Sequence, residues 1–296
     1  MRVWVKALSL LVSISSPLLA QPDVQLQGSF TQGSLIKGQT APGTEVFFND
    51  KPLPVSPDGQ FVFGVGRDAA EEHRLTLRAG AEQQVKTLHF KKRQYDIQHV
   101  NGVAQKYVTP PDTVTERIRQ DNMRVRKVRE TQSELPFIFD APQIPAEGRI
   151  SGVYGSQRVF NGEPRNPHYG LDIAAPVGAP VIAPLSGKVL LADDLYYSGL
   201  TLIIDHGFGI SSTFMHLSKF NVAVGDSVQQ GQRIAEVGAS GAQVHGSGAG
   251  QGRGTGEHQG ACIHDGGSAV SVCAAECECA RAGFAQAVAH ARDRTR

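Results

Sequence analysis

Between Gly148 and Gly238 the chain is cut into short apolar runs by glycine and proline, and this punctuation leaves room for strands and turns but not for long helices. Candidate strands are Ile150–Tyr154, Pro180–Ala183, Gly187–Ala192, Leu200–Asp205, Ile210–Leu217 and Arg233–Val237, with Gly225, Gly231 and Gly238 at turns. Val189-Leu-Leu191 and Leu202-Ile-Ile204 are continuous apolar runs, which suit strands buried on both faces. The composition points the same way: 33 Gly and 16 Pro with 7% aromatic residues favour short strands over helix bundles.

The rest of the chain falls into four further segments. Residues 1–20 read as an export signal: Arg2 and Lys6 precede the apolar Ala7–Ile14, and Pro17-Leu-Leu-Ala20 suits cleavage before Gln21. Residues 21–95 read as a small β-sandwich module of immunoglobulin-like type. Phe61-Val-Phe63-Gly-Val65, Arg74-Leu-Thr-Leu-Arg78 and Val85-Lys-Thr-Leu-His-Phe90 alternate at period two, between turn signals such as Ser56-Pro-Asp-Gly59. Nothing catalytic stands out there, so a spacer or docking role is expected. Residues 96–147 are a linker with a helix. Thr113-Val-Thr-Glu116 has the form of a capping box, and Val114, Ile118, Val125 and Val128 fall near one helical face. The expected fold is mainly β: sandwich module, linker helix, then an antiparallel β-sheet or half-barrel over 148–241.

Charge and hydropathy narrow the function classes. With 29 Lys+Arg against 28 Asp+Glu the net charge is +1, which removes the electrostatic footprint of a nucleic-acid binder. No apolar run reaches the roughly 18–20 residues needed to span a bilayer, so no transmembrane segment is expected.

The chemistry-bearing residues sit in the β-rich second half. Asn166-Pro-His-Tyr-Gly-Leu-Asp172 places His168 and Asp172 four apart. Pro167 and Gly170 argue against a helix. On an extended strand the two would stand roughly 13 Å apart, too far to share an ion. Gly170 can bend or bulge the chain and bring them together. An imidazole nitrogen with a carboxylate oxygen suits a divalent transition metal, zinc first. Further on, Thr213-Phe-Met-His-Leu217 puts His216 near a strand end.

Taken in order, Gly152-Val-Tyr-Gly155, Arg158, Asn161-Gly162, His168-x3-Asp172, Ala183-Pro184-x-x-Gly187-x-Val189, Asp205-His-Gly207, His216-Leu217 and the run from Gly225 to Gly238 resemble the lysostaphin/LytM-type zinc endopeptidases, metallopeptidase family 23, over about residues 148–241. The resemblance implies an antiparallel β-sheet groove that cuts peptide cross-bridges in peptidoglycan. It also implies zinc held by His168 and Asp172, and a catalytic role for His216 in activating water or stabilising the transition state. His206, in the Asp-His-Gly turn, is expected to be structural. The upstream β module and helix are similar to those of exported Gram-negative members, which implies a periplasmic location.

The chain departs from the family pattern after Gly241. The family continues with a Pro and a His-x-His motif whose second His is the third zinc ligand. Here no His-x-His occurs, and His245, His258 and His264 are candidate substitutes. The segment 242–296 holds all four cysteines, 12 Ala and 10 Gly but no Leu, Lys or Pro. It resembles GC-rich coding sequence read in a shifted frame and is expected to be disordered. Without the segment that carries the motif, the central sheet also stands to lose a strand. Two functions follow from the resemblance. One is an exported zinc metalloendopeptidase that hydrolyses peptidoglycan cross-links. The other is a catalytically inactive murein-binding protein that activates a cell-wall amidase partner. A lipoyl-like scaffold is disfavoured by the lack of an exposed modifiable Lys motif.

Overall fold

Period-two alternation in Phe61-Val-Phe63 has a structural consequence that ties the chain together. In the computed structural model, which describes residues 23–101, 112–164, 166–240 and 269–275, all three are buried. Phe61 and Phe63 point into the core of the first module, whereas Val62 joins the core of the second. A strand buried on both faces therefore fastens the two halves. The expected leader at 1–20 lies outside the described residues.

Seven strands build the first module: β1 (Val24–Gln27), β2 (Leu35–Thr40), β3 (Glu45–Phe48), β4 (Lys51–Leu53), β5 (Gln60–Gly64), β6 (Glu72–Ala79) and β7 (Glu82–His89). They form two antiparallel sheets, β1-β2-β5 and β4-β3-β6-β7, that share one core around Ile36, Val46, Phe61, Leu75 and Leu77. Gly38 lies directly beneath the Phe61 ring, where a Cβ would collide with it, so the large aromatic is admitted by the missing side chain.

A short strand β8 (Ile97–Val100) then leads to helix α1 (Asp112–Arg129). The helix presents the expected apolar face: Ile118 is buried, while Val125 and Val128 pack against Leu191, Leu195 and Ile203. Asp121 is buried on the same side, pairs with Arg124 and accepts the Tyr196 backbone N–H at 2.8 Å. Glu116 reaches forward to Arg119 (2.6 Å) and Gln120 (2.8 Å). A 3-10 turn at Pro136–Phe139 buries Ile138 in the second core.

The second module contains β9 (Arg149–Gly152), β10 (Gln157–Phe160), β11 (Glu163–Pro164), β12 (Leu171–Ala174), β13 (Pro180–Ile182), β14 (Gly187–Leu195), β15 (Gly199–Gly207), β16 (Ile210–Phe220), β17 (Ser227–Val228), β18 (Arg233–Val237) and β19 (Ala269–Ala275). Its main sheet runs β17-β14-β15-β16-β19-β12-β9, with β18 bridging β13 and β16. The apolar runs predicted to be doubly buried are the long central β14 and β15, and Leu202, Ile203 and Ile204 are fully buried. One face of this sheet carries the main core, including Leu171, Ile173, Leu202, Phe214 and Leu217.

β19 comes from the segment after Gly241. It pairs with β12 on one side and β16 on the other, so that Asp172, Ser271 and Met215 stand in register. The position in the sheet that the family resemblance assigns to the absent segment is thus held by residues 269–275. Residues 241–268 and 276–296 lie outside the described residues. β10 pairs in parallel with β8, which adds a second seam between the linker and the second module. Among the described residues no helix is long and apolar enough to cross a membrane.

Candidate metal centre

His168 and Asp172 are brought together by a bend at Gly170. The segment 166–169 is irregular, and β12 begins only at Leu171. Leu171 and Ile173 point into the core, so Asp172 between them faces the opposite side of the sheet. His168 Nε2 lies 2.9 Å from Asp172 Oδ1, and both residues are buried. The backbone holds His168 from both sides: its N–H donates to Ser156 O at 2.8 Å and its carbonyl accepts from Gly155 N–H at 2.7 Å. Across the sheet, Asp172 pairs with Gly152, next to a register shift in β9. A Cβ at position 152 would fall inside the Asp172 carboxyl group, so glycine there is what admits the carboxylate.

The protonation pattern shows what the pair can hold. His168 Nδ1 lies 3.0 Å from the Val153 carbonyl. A carbonyl only accepts, so Nδ1 carries the hydrogen. In the neutral imidazole Nε2 then has a lone pair, and it faces a carboxylate oxygen that also only accepts. Two acceptors at 2.9 Å need a positive charge between them, either a proton or a metal ion. Two ligands on a tetrahedral zinc stand about 3.3 Å apart, a few tenths of an ångström beyond the distance seen. A ring nitrogen, a carboxylate oxygen and a backbone carbonyl fixing the tautomer form a donor set suited to zinc. The fit covers two ligands. Among the described residues no group of three His, Cys, Asp or Glu could hold an ion, and His245, His258 and His264 lie outside them.

His216 reaches the same face by a different device. Leu200 pairs with Leu217 and Leu202 with Phe214, so Met215 and His216 together oppose the single residue Thr201. This is a β-bulge, and it resets the alternation: Phe214 and Leu217, three apart, both enter the core. Met215 and His216 are left facing the side that carries Asp172. His216 adopts a left-handed backbone (φ 60°), rare for a residue with a Cβ and frequent where a site re-aims a side chain. Its N–H donates to Ser198 O at 2.8 Å, and its Nδ1 donates to Ser240 O at 2.9 Å. The ring is therefore in the tautomer with the lone pair on Nε2. Met215 and Asp172 are two strand spacings apart, about 10 Å between backbones.

His206 is held elsewhere and serves the fold. It is fully buried between Ser186 O and Ser212 Oγ, each at 2.8 Å, and burial pulls its pKa down to about 4. It stays neutral at ordinary pH and ties β15 to β16 and to Ser186, the residue before β14.

The carbonyls of Val153 and Ser240, which orient the two rings, carry no side-chain signature and are invisible to sequence reading. The His216 bulge left one trace, the interruption of alternation in Phe214-Met-His-Leu217.

Comparison with known proteins agrees with this geometry. Residues 166–252 match the sequence model of Peptidase family M23. The chain is 41% identical over 75 residues to Peptidoglycan DD-endopeptidase ShyB of Vibrio cholerae, covering 25% of this chain and 18% of that protein. It is 39% identical over 99 residues to Murein hydrolase activator EnvC of Escherichia coli, covering 33% and 23%. The chain thus matches only about a fifth of the length of these relatives. In fold, it resembles a crystal structure from Pseudomonas aeruginosa described as a peptidase M23, with a TM-score of 0.58 at 22% identity over 82% of this chain and 89% of that one. The His-x3-Asp pair and the bulged His216 strand thus lie in a segment that matches peptidase family M23.

Proposed function

We propose that this chain is an exported, zinc-dependent metalloendopeptidase that hydrolyses peptide cross-links of peptidoglycan, with His168 and Asp172 holding the metal and His216 as the catalytic proton carrier. The observation that carries the reading is the His168–Asp172 pair, two acceptors set 2.9 Å apart with the ring tautomer fixed from behind. The relatives named for peptidoglycan endopeptidase and murein hydrolase activation support the substrate class. The leader at 1–20 supports export to the periplasm.

The residues divide the work in a simple way. A zinc ion at the pair would supply a Lewis acid for the scissile carbonyl and a water acidified to a pKa of about 7. Val153 O keeps the His168 proton on Nδ1 and so keeps Nε2 available to a cation. Ser240 O does the same for His216, leaving Nε2 of that ring to take up or return a proton at the reacting group.

The departure after Gly241 sets the expected level of activity. With two ligands in place of three, this chain binds zinc loosely and cleaves slowly. The similarity to a murein hydrolase activator favours a second reading, an amidase-activating protein that binds murein without cutting it. Digestion of purified cell walls with added zinc, followed by analysis of the released muropeptides, separates the two. Slow conversion of cross-linked dimers to monomers that is lost in His168→Ala supports the peptidase. No cleavage alone, with stimulation of an amidase that His168→Ala leaves intact, overturns it in favour of the activator.

A further inference from the structure

We infer that Arg67, in the first module, is a positioning residue for His168, so that the β-sandwich is a structural part of the metal centre and more than a spacer. The inference rests on the proposed metal role of His168. Arg67 lies in the loop between β5 and β6 and is 8% exposed, unusual for an arginine. Its Nε donates to the Gly155 carbonyl at 2.8 Å and a terminal nitrogen donates to Gln157 Oε1 at 3.1 Å. The guanidinium lies over the Tyr95 ring, 4.5 Å from its centroid, and the Tyr95 hydroxyl donates back to the Arg67 carbonyl at 3.1 Å. The fork also pairs with Asp68 at 2.7 Å. The planar five-donor head of arginine fills this geometry, and lysine could not.

What Arg67 grips is the turn that holds His168. Gly155, whose carbonyl Arg67 takes, gives its own N–H to the His168 carbonyl. Ser156 O receives the His168 N–H, and Val153 O receives the His168 ring proton. The turn is left-handed at Gly155 (φ 89°), and a Cβ there would run into the Tyr95 ring. Residues 153–156 are thus clamped between the first module on one side and the His168 segment on the other. Three backbone positions that place the imidazole, at 153, 155 and 156, lie in a turn gripped by a side chain about ninety residues upstream.

The test reads position and metal separately, in the full chain. In Arg67→Met, which keeps the stem and removes the fork, the Gly155 and His168 amides should exchange with solvent about tenfold faster by NMR, while amides of β14 and β15 are unchanged. Zinc affinity, measured by competition with a chromogenic chelator, should fall about tenfold, the lower end of what supporting groups of metal ligands contribute. Tyr95→Phe, which removes one hydrogen bond and keeps the ring, should move both readouts in the same direction by a smaller factor and guards against loss of folding in the first variant. Unchanged exchange at Gly155 and His168 in a folded Arg67→Met overturns the inference. Faster exchange with zinc affinity intact also overturns it, because the clamp would then be structural only. If the wild-type chain binds no zinc, or His168→Ala binds it equally well, the metal reading itself fails while the exchange data still decide whether Arg67 places the imidazole.

Discussion

Gly152→Ala should damage the metal centre through a single methyl group. The added Cβ would lie 2.8 Å from Asp172 Cγ and closer still to Oδ2. Ordinary van der Waals contact begins at 3.4 Å, so the carboxyl must retreat by more than 3.4 − 2.8 = 0.6 Å. Metal–ligand distances tolerate about 0.2 Å, so this displacement removes Asp172 as a ligand. Gly152 has no left-handed φ, so the effect is steric alone. The buried site gives the carboxyl little room, and overpacking of this kind costs about 1–3 kcal/mol. For a unit of this size that is a fall in Tm of roughly 2–10 °C. Zinc affinity should drop by at least about tenfold. Calorimetry and chelator competition on the same preparation check both numbers. A Gly152→Ala protein that melts within a degree of wild type and binds zinc equally well would refute the packing argument.

Other consequences are more local. His206 is buried neutral with a pKa of about 4 against an ordinary 6.5, so the unfolded chain takes up its proton first and stability falls as pH drops from about 6.5 to 4. Its share is about 2 kcal/mol between pH 7 and pH 5, and urea unfolding should show the slope reduced by that amount in His206→Gln. Asp121→Ala should cost about 1–2 kcal/mol, because it leaves the Tyr196 N–H and the Arg124 head without their buried partner. The exposed pair Arg119–Glu116 is screened by solvent, so Arg119→Ala in the same urea assay should leave the unfolding midpoint essentially unmoved and gives the contrast.

Much of the second module was legible because its signals are local. The runs ending at Ala192 and Asp205 lengthen in the structure to Leu195 and Gly207, and Arg233–Val237 is reproduced residue for residue. The helix face of Ile118, Val125 and Val128 was legible for the same reason. β12 was not, since Gly170 and Pro176 crowd a four-residue strand that carries Asp172 in its middle. The site was half legible. The four-residue spacing of His168 and Asp172 with a glycine between them suggests a bend, but nothing local reveals that Gly152 clears the space or that Val153 and Ser240 orient the rings. Those partners lie 15 to 24 residues away and act through backbone carbonyls. The Arg67 contact spans 88 residues, and the pairing of β19 with β12 joins segments still farther apart. Such contacts follow from topology and not from pattern.

The account depends on a cation sitting between His168 Nε2 and Asp172 Oδ1. A crystal of this chain grown with zinc, with anomalous differences recorded on either side of the zinc edge, tests that most directly. A peak within about 2.2 Å of both atoms, absent in His168→Ala, is the predicted result. A flat anomalous map there, with the ring and carboxyl still in direct contact, would contradict it.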